Sequence, residues 1–376
     1  MKLKQTKRAL VAFLSLVVLA SCQSVPQVDK GEGETEEADL KQDTGQRLSK
    51  SYYSALITDG QYAMNPSRGV VSGQSSEANL RQFEKGLYEL AQEQFSTDDY
   101  LIQEGQLIDQ KLAANWLAPK GKDFPEGLNP KEATAKTRSN FKPKILNSLL
   151  EYDFLTQDED GKHHLAGVTI GLALNSSEQF TNGEEEETVE IDQDTALAEG
   201  KKMAQEIVRR LRKKHDAYKK IPIQVALFYS APVSDLAGGS FKAEAVSVAG
   251  SSFSDWQSIN VQHKTLGLGD DTTAEDNVGF QRFREEVDNF FPQLSGIEGV
   301  GTYQNGQLVA LDIQINSQFD GYSEIIALVQ HASKQANTIF RNNHGEVTMR
   351  LVGPGGTRAI MKRPAGETNF TYQILN

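Results

Sequence analysis

The chain has 376 residues, with 51 Asp and Glu against 39 Lys and Arg, a formal charge of −12 and one cysteine. A chain this acidic repels nucleic acid, and a lone cysteine can close no disulfide within it, so an apolar core must hold the fold. The length exceeds the usual single-domain range and predicts two domains.

Lys2, Lys4, Lys7 and Arg8 open the sequence without an acid, an apolar run from Ala9 to Ala20 follows, and Leu19-Ala20-Ser21-Cys22 closes it. A basic start, a short apolar run and small residues before a cut form a secretory signal, and this run is too short to remain as a bilayer span. The single cysteine stands where a bacterial lipoprotein receives its diacylglyceryl group. Lipidation at Cys22 and cleavage between Ser21 and Cys22 are therefore expected, with residues 1–21 as the signal peptide. Loss of four cations and no acid takes the formal charge from −12 to −16. The mature chain is expected on the extracellular face of the cell membrane, held by its lipid. The membrane and the lipoprotein-processing enzymes are its implied partners.

Residues 22–48 read as an acidic tether. Asp29, Glu32, Glu34, Glu36, Glu37, Asp39 and Asp43 leave too little apolar surface to offset the entropy of ordering. A first α/β domain is expected over 49–235, opening with helices. Ser76 caps a helix whose Leu80, Phe83, Leu87, Leu90 and Ala91 share a face, and Leu107, Ile108, Leu112 and Trp116 predict a second helix that Pro119 stops. Phe124 to Pro130 reads as a loop.

A weak internal repeat follows. Leu165 to Ser176 predicts a strand, Leu197, Ala204, Ile207, Val208 and Leu211 a helix, and Ile221 to Tyr229 a strand. Leu308 to Ser317, then Ile325, Leu328, Val329, Ala332, Ala336, Ile339 and Phe340, then Glu346 to Val352 repeat that order. Hairpin signals precede both copies, Asp160-Gly161 and Asn305-Gly306. Strand–helix–strand units join parallel neighbours, whereas a hairpin adds an antiparallel one. The fold class is therefore α/β with α+β character: two related domains, the second over 236–376, with mixed sheets built on a repeated hairpin–helix–strand unit. Asp235 to Gly269 should supply strands and turns leading into the second domain. Glu275 to Phe291 predicts a helix with Val278, Phe283, Val287, Phe290 and Phe291 apolar.

Signs of chemistry are sparse. Nucleophilic catalysis needs Ser, Cys or Thr with a base in reach, and no Gly-x-Ser-x-Gly elbow occurs. His163 and His164 are adjacent, so on a strand they face opposite sides, and a surface hairpin position is expected. His215, His263, His331 and His344 form no metal-spacing set. Asp158-Glu-Asp-Gly161 opens like a calcium loop, but Thr169 occupies the place of its closing Glu, which predicts a turn. Glu184 to Glu187 with Asp192 and Asp194 read as a solvated loop insertion. Gly267-Leu-Gly269, Gly299-Val-Gly301 and Gly353-Pro-Gly-Gly356 lack a phosphate-loop pattern and read as turns. Arg209, Arg210, Arg212, Lys213 and Lys214, with Lys219 and Lys220, complement a helix C-terminus, or contact anionic wall polymer or lipid headgroups. No catalytic, cofactor or metal residue is assigned.

The lipid-signal end Leu19-Ala-Ser-Cys22, the acidic tether, Glu104-Gly-Gln106, Gly127-Leu-Asn-Pro130 and Leu165-Ala-Gly-Val-Thr-Ile-Gly171 together resemble the CamS family of Gram-positive lipoproteins, the cAM373-type sex-pheromone precursors. The resemblance implies that the tail of the cleaved signal is trimmed to a short apolar peptide that induces conjugative plasmid transfer. Here that peptide would be Ser15, Leu16, Val17, Val18, Leu19, Ala20 and Ser21, without the family form's Ile and Phe. Its partner would be a peptide receptor. The mature part is then expected to be a non-enzymatic binding module. Two alternatives are an extracytoplasmic solute-binding lipoprotein with its ligand between the domains, and a cell-wall hydrolase, which the missing catalytic set disfavours.

Overall fold

Hairpins turning at Asp160-Gly161, between apolar runs, and at Asn305-Gly306, beside an alternating strand, organise two sheets. The computed structural model describes residues 41–43, 47–67, 76–267, 274–291, 294–319 and 321–375. Cys22 and residues 15–21 lie outside them. In chain order the first half holds β1 (Lys41–Asp43), β2 (Ser54–Thr58), β3 (Gln61–Tyr62), α1 (Glu77–Gln94), β4 (Leu101–Glu104), α2 (Gln110–Leu117) and β5 (Leu146–Gln157). There follow β6 (His163–Leu174), β7 (Ser177–Asn182), β8 (Glu185–Glu190), α3 (Gln193–Lys214), β9 (Ile223–Tyr229), β10 (Ser240–Ser247) and β11 (Gln257–Ser258). The second half holds β12 (Val261–Leu266), α4 (Glu275–Phe290), β13 (Leu294–Gln304), β14 (Gln307–Ser317), α5 (Tyr322–Ile339), β15 (Glu346–Gly353), β16 (Gly356–Arg363) and β17 (Thr371–Ile374).

The first sheet runs β1-β2-β4-β5-β6-β9-β10-β11 with β3 on β2, and the second runs β12 to β17 in chain order. Hairpin β5–β6 is antiparallel and α3 carries the chain to β9, parallel to β6. Hairpin β13–β14 is antiparallel and α5 carries the chain to β15, parallel to β14. An antiparallel strand closes each unit, β10 on β9 and β16 on β15. The fold is α/β with mixed sheets, and the hairpin–helix–strand unit occurs twice.

The first sheet is covered on both faces. Val168, Ile170, Leu172, Val225 and Leu227 point to α3, where Ala204, Ile207, Val208 and Leu211 meet them. Ala173, Ala226 and Phe228 point the other way, against Phe83 and Leu87 of α1. This explains the unbroken apolar runs, because a strand buried on both faces has no need to alternate. Gly167 lets α1 approach, since a Cβ there would lie 2.0 Å from the Phe95 ring. In the second sheet one face packs Leu311, Ile313, Ile315, Val347, Met349 and Leu351 on α4 and α5. The alternate residues are partly exposed, so β14 and β15 do alternate.

Several local expectations need correction. Residues 41–43, assigned to the tether, form β1 and pair with Leu56–Thr58. Arg47, also assigned there, binds the carbonyls of Ser49 and Lys50 and pairs with Asp98 at 2.9 Å. The second helix starts only at Gln110, because the Asp109 carboxylate accepts the Leu112 N–H and caps it; Leu107 and Ile108 precede it. On α4 the buried stripe is Phe280, Phe283 and Val287, while Val278 and Phe290 are exposed. The acidic segment 184–187 is no irregular loop: it lies in the β7–β8 hairpin, and Asp192 caps α3 through the Thr195 N–H. Strand β10 pairs within the first sheet, so the chain passes to the second sheet at 258–261.

Candidate functional site

Four contacts lay α1 along β10 and create a cleft beside it. Asn79 accepts the N–H groups of Ala231 and Gly239 through Oδ1, at 3.0 and 2.8 Å. Gln82 donates to the Ala237 carbonyl, Gly86 packs on the Phe241 ring, and Gln224 donates both to the Leu90 carbonyl (3.2 Å) and to Glu244 (2.7 Å). Thr169 Oγ1 donates to Gln224 Oε1 at 2.8 Å and holds that amide in place. The other wall comes from the second sheet. The cleft has a volume of about 560 Å3 and is lined among others by Lys85, Glu89, Glu93, Glu244, His263 and Thr302. That is within the roughly 300–1,000 Å3 usual for small-molecule sites.

Its charges sit in distinct environments. The Glu244 carboxyl is pushed up from its ordinary value, first by burial and then by the Glu93 charge, against the stabilising Gln224 hydrogen bond. His263 is pushed down to about 4, mainly by burial and further by Lys85 and Lys242, so it is neutral at pH 7; its Nδ1 lies 3.1 Å from Thr302 Oγ1. Lys242, not itself a lining residue, donates from Nζ to the carbonyl of the lining Val261 at 2.9 Å, and burial lowers its pKa. The arrangement offers preset hydrogen bonds and both signs of charge. Sequence reasoning did not find these residues. The available signals were Gln224 inside an apolar run and Lys242-Ala-Glu244 inside an alternating one.

The residues singled out by sequence are dispersed. His164 is exposed and bonds to Asp158 at 2.7 Å, while His163 is buried, so only one of the pair has the expected surface position. Asp158 also accepts the N–H groups of Asp160 and Lys162, the geometry of a turn. Gly353 and Gly356 flank a turn, whereas Gly299 and Gly301 lie within β13, where a Cβ on Gly299 would strike the Phe280 ring at 2.4 Å. The basic cluster is no continuous patch. Arg209 and Arg210 both hold Glu206, whose pKa falls to about 2, and Arg212 is buried, donating to the carbonyls of Tyr218, Ile221 and Ser247. Among the described residues no group of three or more His, Cys, Asp or Glu is arranged for a metal ion.

The sequence pieces behind the family resemblance have structural tasks. Gly105 bends past Glu151, and the Glu151 and Asp153 carboxylates accept the N–H groups of Ile108 and Gln106. Asn129 is buried and bridges both ends of its loop, donating to the Leu117 and Leu146 carbonyls at 2.7 and 2.8 Å and accepting from Ile145 and Leu146. The sequence profile described as CamS sex pheromone cAM373 precursor matches residues 62–369. The chain belongs to the CamS family.

The structure is similar to that of a sex pheromone precursor from Lactobacillus salivarius subsp. salivarius UCC118. The two are 29% identical with a TM-score of 0.82, over 89% of this chain and 99% of that one. It is also similar to the C-terminal domain of the sex pheromone staph-cAM373 precursor from Staphylococcus aureus. That likeness has 25% identity and a TM-score of 0.69, over 81% of this chain and 98% of that one. Among curated proteins no sequence matches. Cys22 precedes the matched segment of the CamS chain.

Proposed function

We propose that this CamS chain is a lipid-anchored extracellular lipoprotein whose cut signal peptide yields the pheromone-like heptapeptide Ser15–Ser21. Its mature part would be a non-enzymatic binding module using the cleft beside α1. One observation carries the anchoring: the only cysteine of the chain follows Leu19-Ala-Ser21 at the end of a signal-like segment. Membership of a family described as sex pheromone precursors supports the peptide product. The heptapeptide has no charged side chain, which suits capture in an apolar receptor pocket.

Metabolic labelling with a fatty acid should mark the wild-type protein and leave Cys22→Ala unlabelled; label retained in the variant would refute the anchor. Mass spectrometry of the culture medium should find Ser15–Ser21, and its absence beside processed protein would refute the peptide product.

The cleft favours the solute-binding alternative for the mature part, because residues from both sheets line it. A ligand that binds only the folded chain raises its melting temperature. A thermal-shift series over sugars, peptides and metal ions should therefore give a shift that Ser258→Trp, at the exposed rim, removes.

A further inference from the structure

The charges that line the cleft beside α1 do not cancel. They are those of Lys85, Glu89, Glu93 and Glu244. Lys85 pairs with Glu89, one helical turn along, at 3.5 Å, and the neutral His263 adds no charge. Lys242, two positions before Glu244 on β10, does not line the cleft and donates its ammonium to the Val261 carbonyl. Glu93 and Glu244 therefore border one space with no cation partner among the described residues. The Glu93 charge disfavours ionisation of Glu244, so each carboxylate feels the other.

One of these carboxylates is fixed from behind. Thr169 and Gln224 are both buried, and Gln224 accepts from Thr169 while donating to the Leu90 carbonyl and to Glu244 Oε2. Glu244 Oε1 is left without a partner among the described residues. This carboxylate caps no helix and joins no ion pair, yet a buried amide is spent on holding it at the wall of a cleft. Such support serves a partner from outside the chain. Around it stand groups of a second kind. The side chains of Ser258, Asn260, Gln304 and Asn305 line the cleft, have no hydrogen-bond partner among the described residues, and can each donate and accept.

We propose that the cleft binds a solute carrying a primary ammonium on a hydroxyl-bearing frame, the chemistry of an amino sugar, with the ammonium between Glu93 and Glu244. The N–H donors of an ammonium match the open oxygens of two carboxylates, and hydroxyls, which donate and accept, match the free amides on the rim. An anionic solute would meet both carboxylates as repulsion. A purely apolar one would strip the amides of water without replacing their hydrogen bonds. Thr169 and Gln224 hold Glu244 in position before the ligand arrives, so little ordering remains on binding. The inference rests on reading the cleft as the ligand site of the mature part.

The test is calorimetric titration of the purified full chain at pH 6 with the glucosamine trimer and with its N-acetylated counterpart, which keeps the frame and loses the charge. The free trimer should bind, and N-acetylation should weaken it about tenfold or more, the usual cost of a lost hydrogen bond between charged groups. Glu244→Gln should abolish the preference for the free amine. Glu93→Gln, at an exposed position, should reduce that preference without touching the Gln224 contact, which keeps the test decisive should Glu244→Gln disturb the fold. Equal binding of the two trimers, or no binding of the free one, overturns the proposal. If a solute of another class then raises the melting temperature and Ser258→Trp removes the shift, the cleft remains a ligand site and only the ammonium assignment falls. If no solute of any class shifts it, both fall.

Discussion

Glu151 and Asp153 stand two positions apart on β5, so both side chains point to the same, buried face. Tyr218 donates its hydroxyl to Glu151, and Gln106 N–H reaches Asp153 Oδ2 at 3.2 Å, but Asp153 Oδ1 has no hydrogen-bond partner. Burial pushes both carboxyls up, and the Glu151 charge adds to the effect on Asp153. The folded chain therefore keeps a proton that the unfolded chain has already released. Stability from this pair is complete below the ordinary carboxylate pKa near 4 and is lost as pH rises through the raised value. Asp153→Asn removes that loss. In urea unfolding between pH 4 and 8, the variant should gain on the wild type as pH rises, by on the order of 1–2 kcal/mol. A difference that stays flat with pH would show that burial does not hold a proton on this pair in the folded chain.

Arg212 illustrates why a charge pattern says little about its role. It lies among six other cationic positions in sequence, yet its guanidinium is buried on three carbonyls that fasten the end of α3 to the segment before β9 and to β10. Position on the helix, rather than charge, selects it. Element ends follow local chemistry more directly. Ser76 Oγ accepts the Asn79 N–H at 3.1 Å at the start of α1, and Ser76→Ala should cost about 1 kcal/mol in urea unfolding. The β7–β8 hairpin carried its own signal, Asn182-Gly183 with Gly183 at φ +70, which the surrounding glutamates obscured. The late start of α2 was also local, since Asp109 competes with Ala and Leu as the boundary residue.

The core of the first sheet lies on both its faces, against α3 on one and α1 on the other, and the core of the second sheet lies under α4 and α5, all within one compact unit, Leu40–Asn376. Phe283 is fully buried in the second core, and Phe283→Ala should destabilise the protein by about 3–5 kcal/mol. Hydrogen exchange should then rise most in β13 to β16; equal loss of protection in β5 and β6 would show that both cores open together. The repeated unit was legible because hairpin turns and a helical period of apolar residues are local properties. The core of the first sheet was legible as unbroken apolar runs. The expectation of a lipid signal at Cys22 rests on sequence alone, because the chemistry of targeting reads local sequence before any fold exists.

The cleft was not legible, for a physical reason. Glu93, Glu244, His263 and Thr302 lie on four elements separated by up to some two hundred residues of chain, and only packing sets their mutual distance. The same holds for Glu151, which ordinary propensity would expose, and which burial, Tyr218 and the Gly105 bend keep inside. Periodicity, turns and caps depend on neighbours in sequence, and these the chain specifies alone. Which charges face one another across the cleft, and which acids are buried, depends on contacts between distant segments, and there the tertiary structure decides.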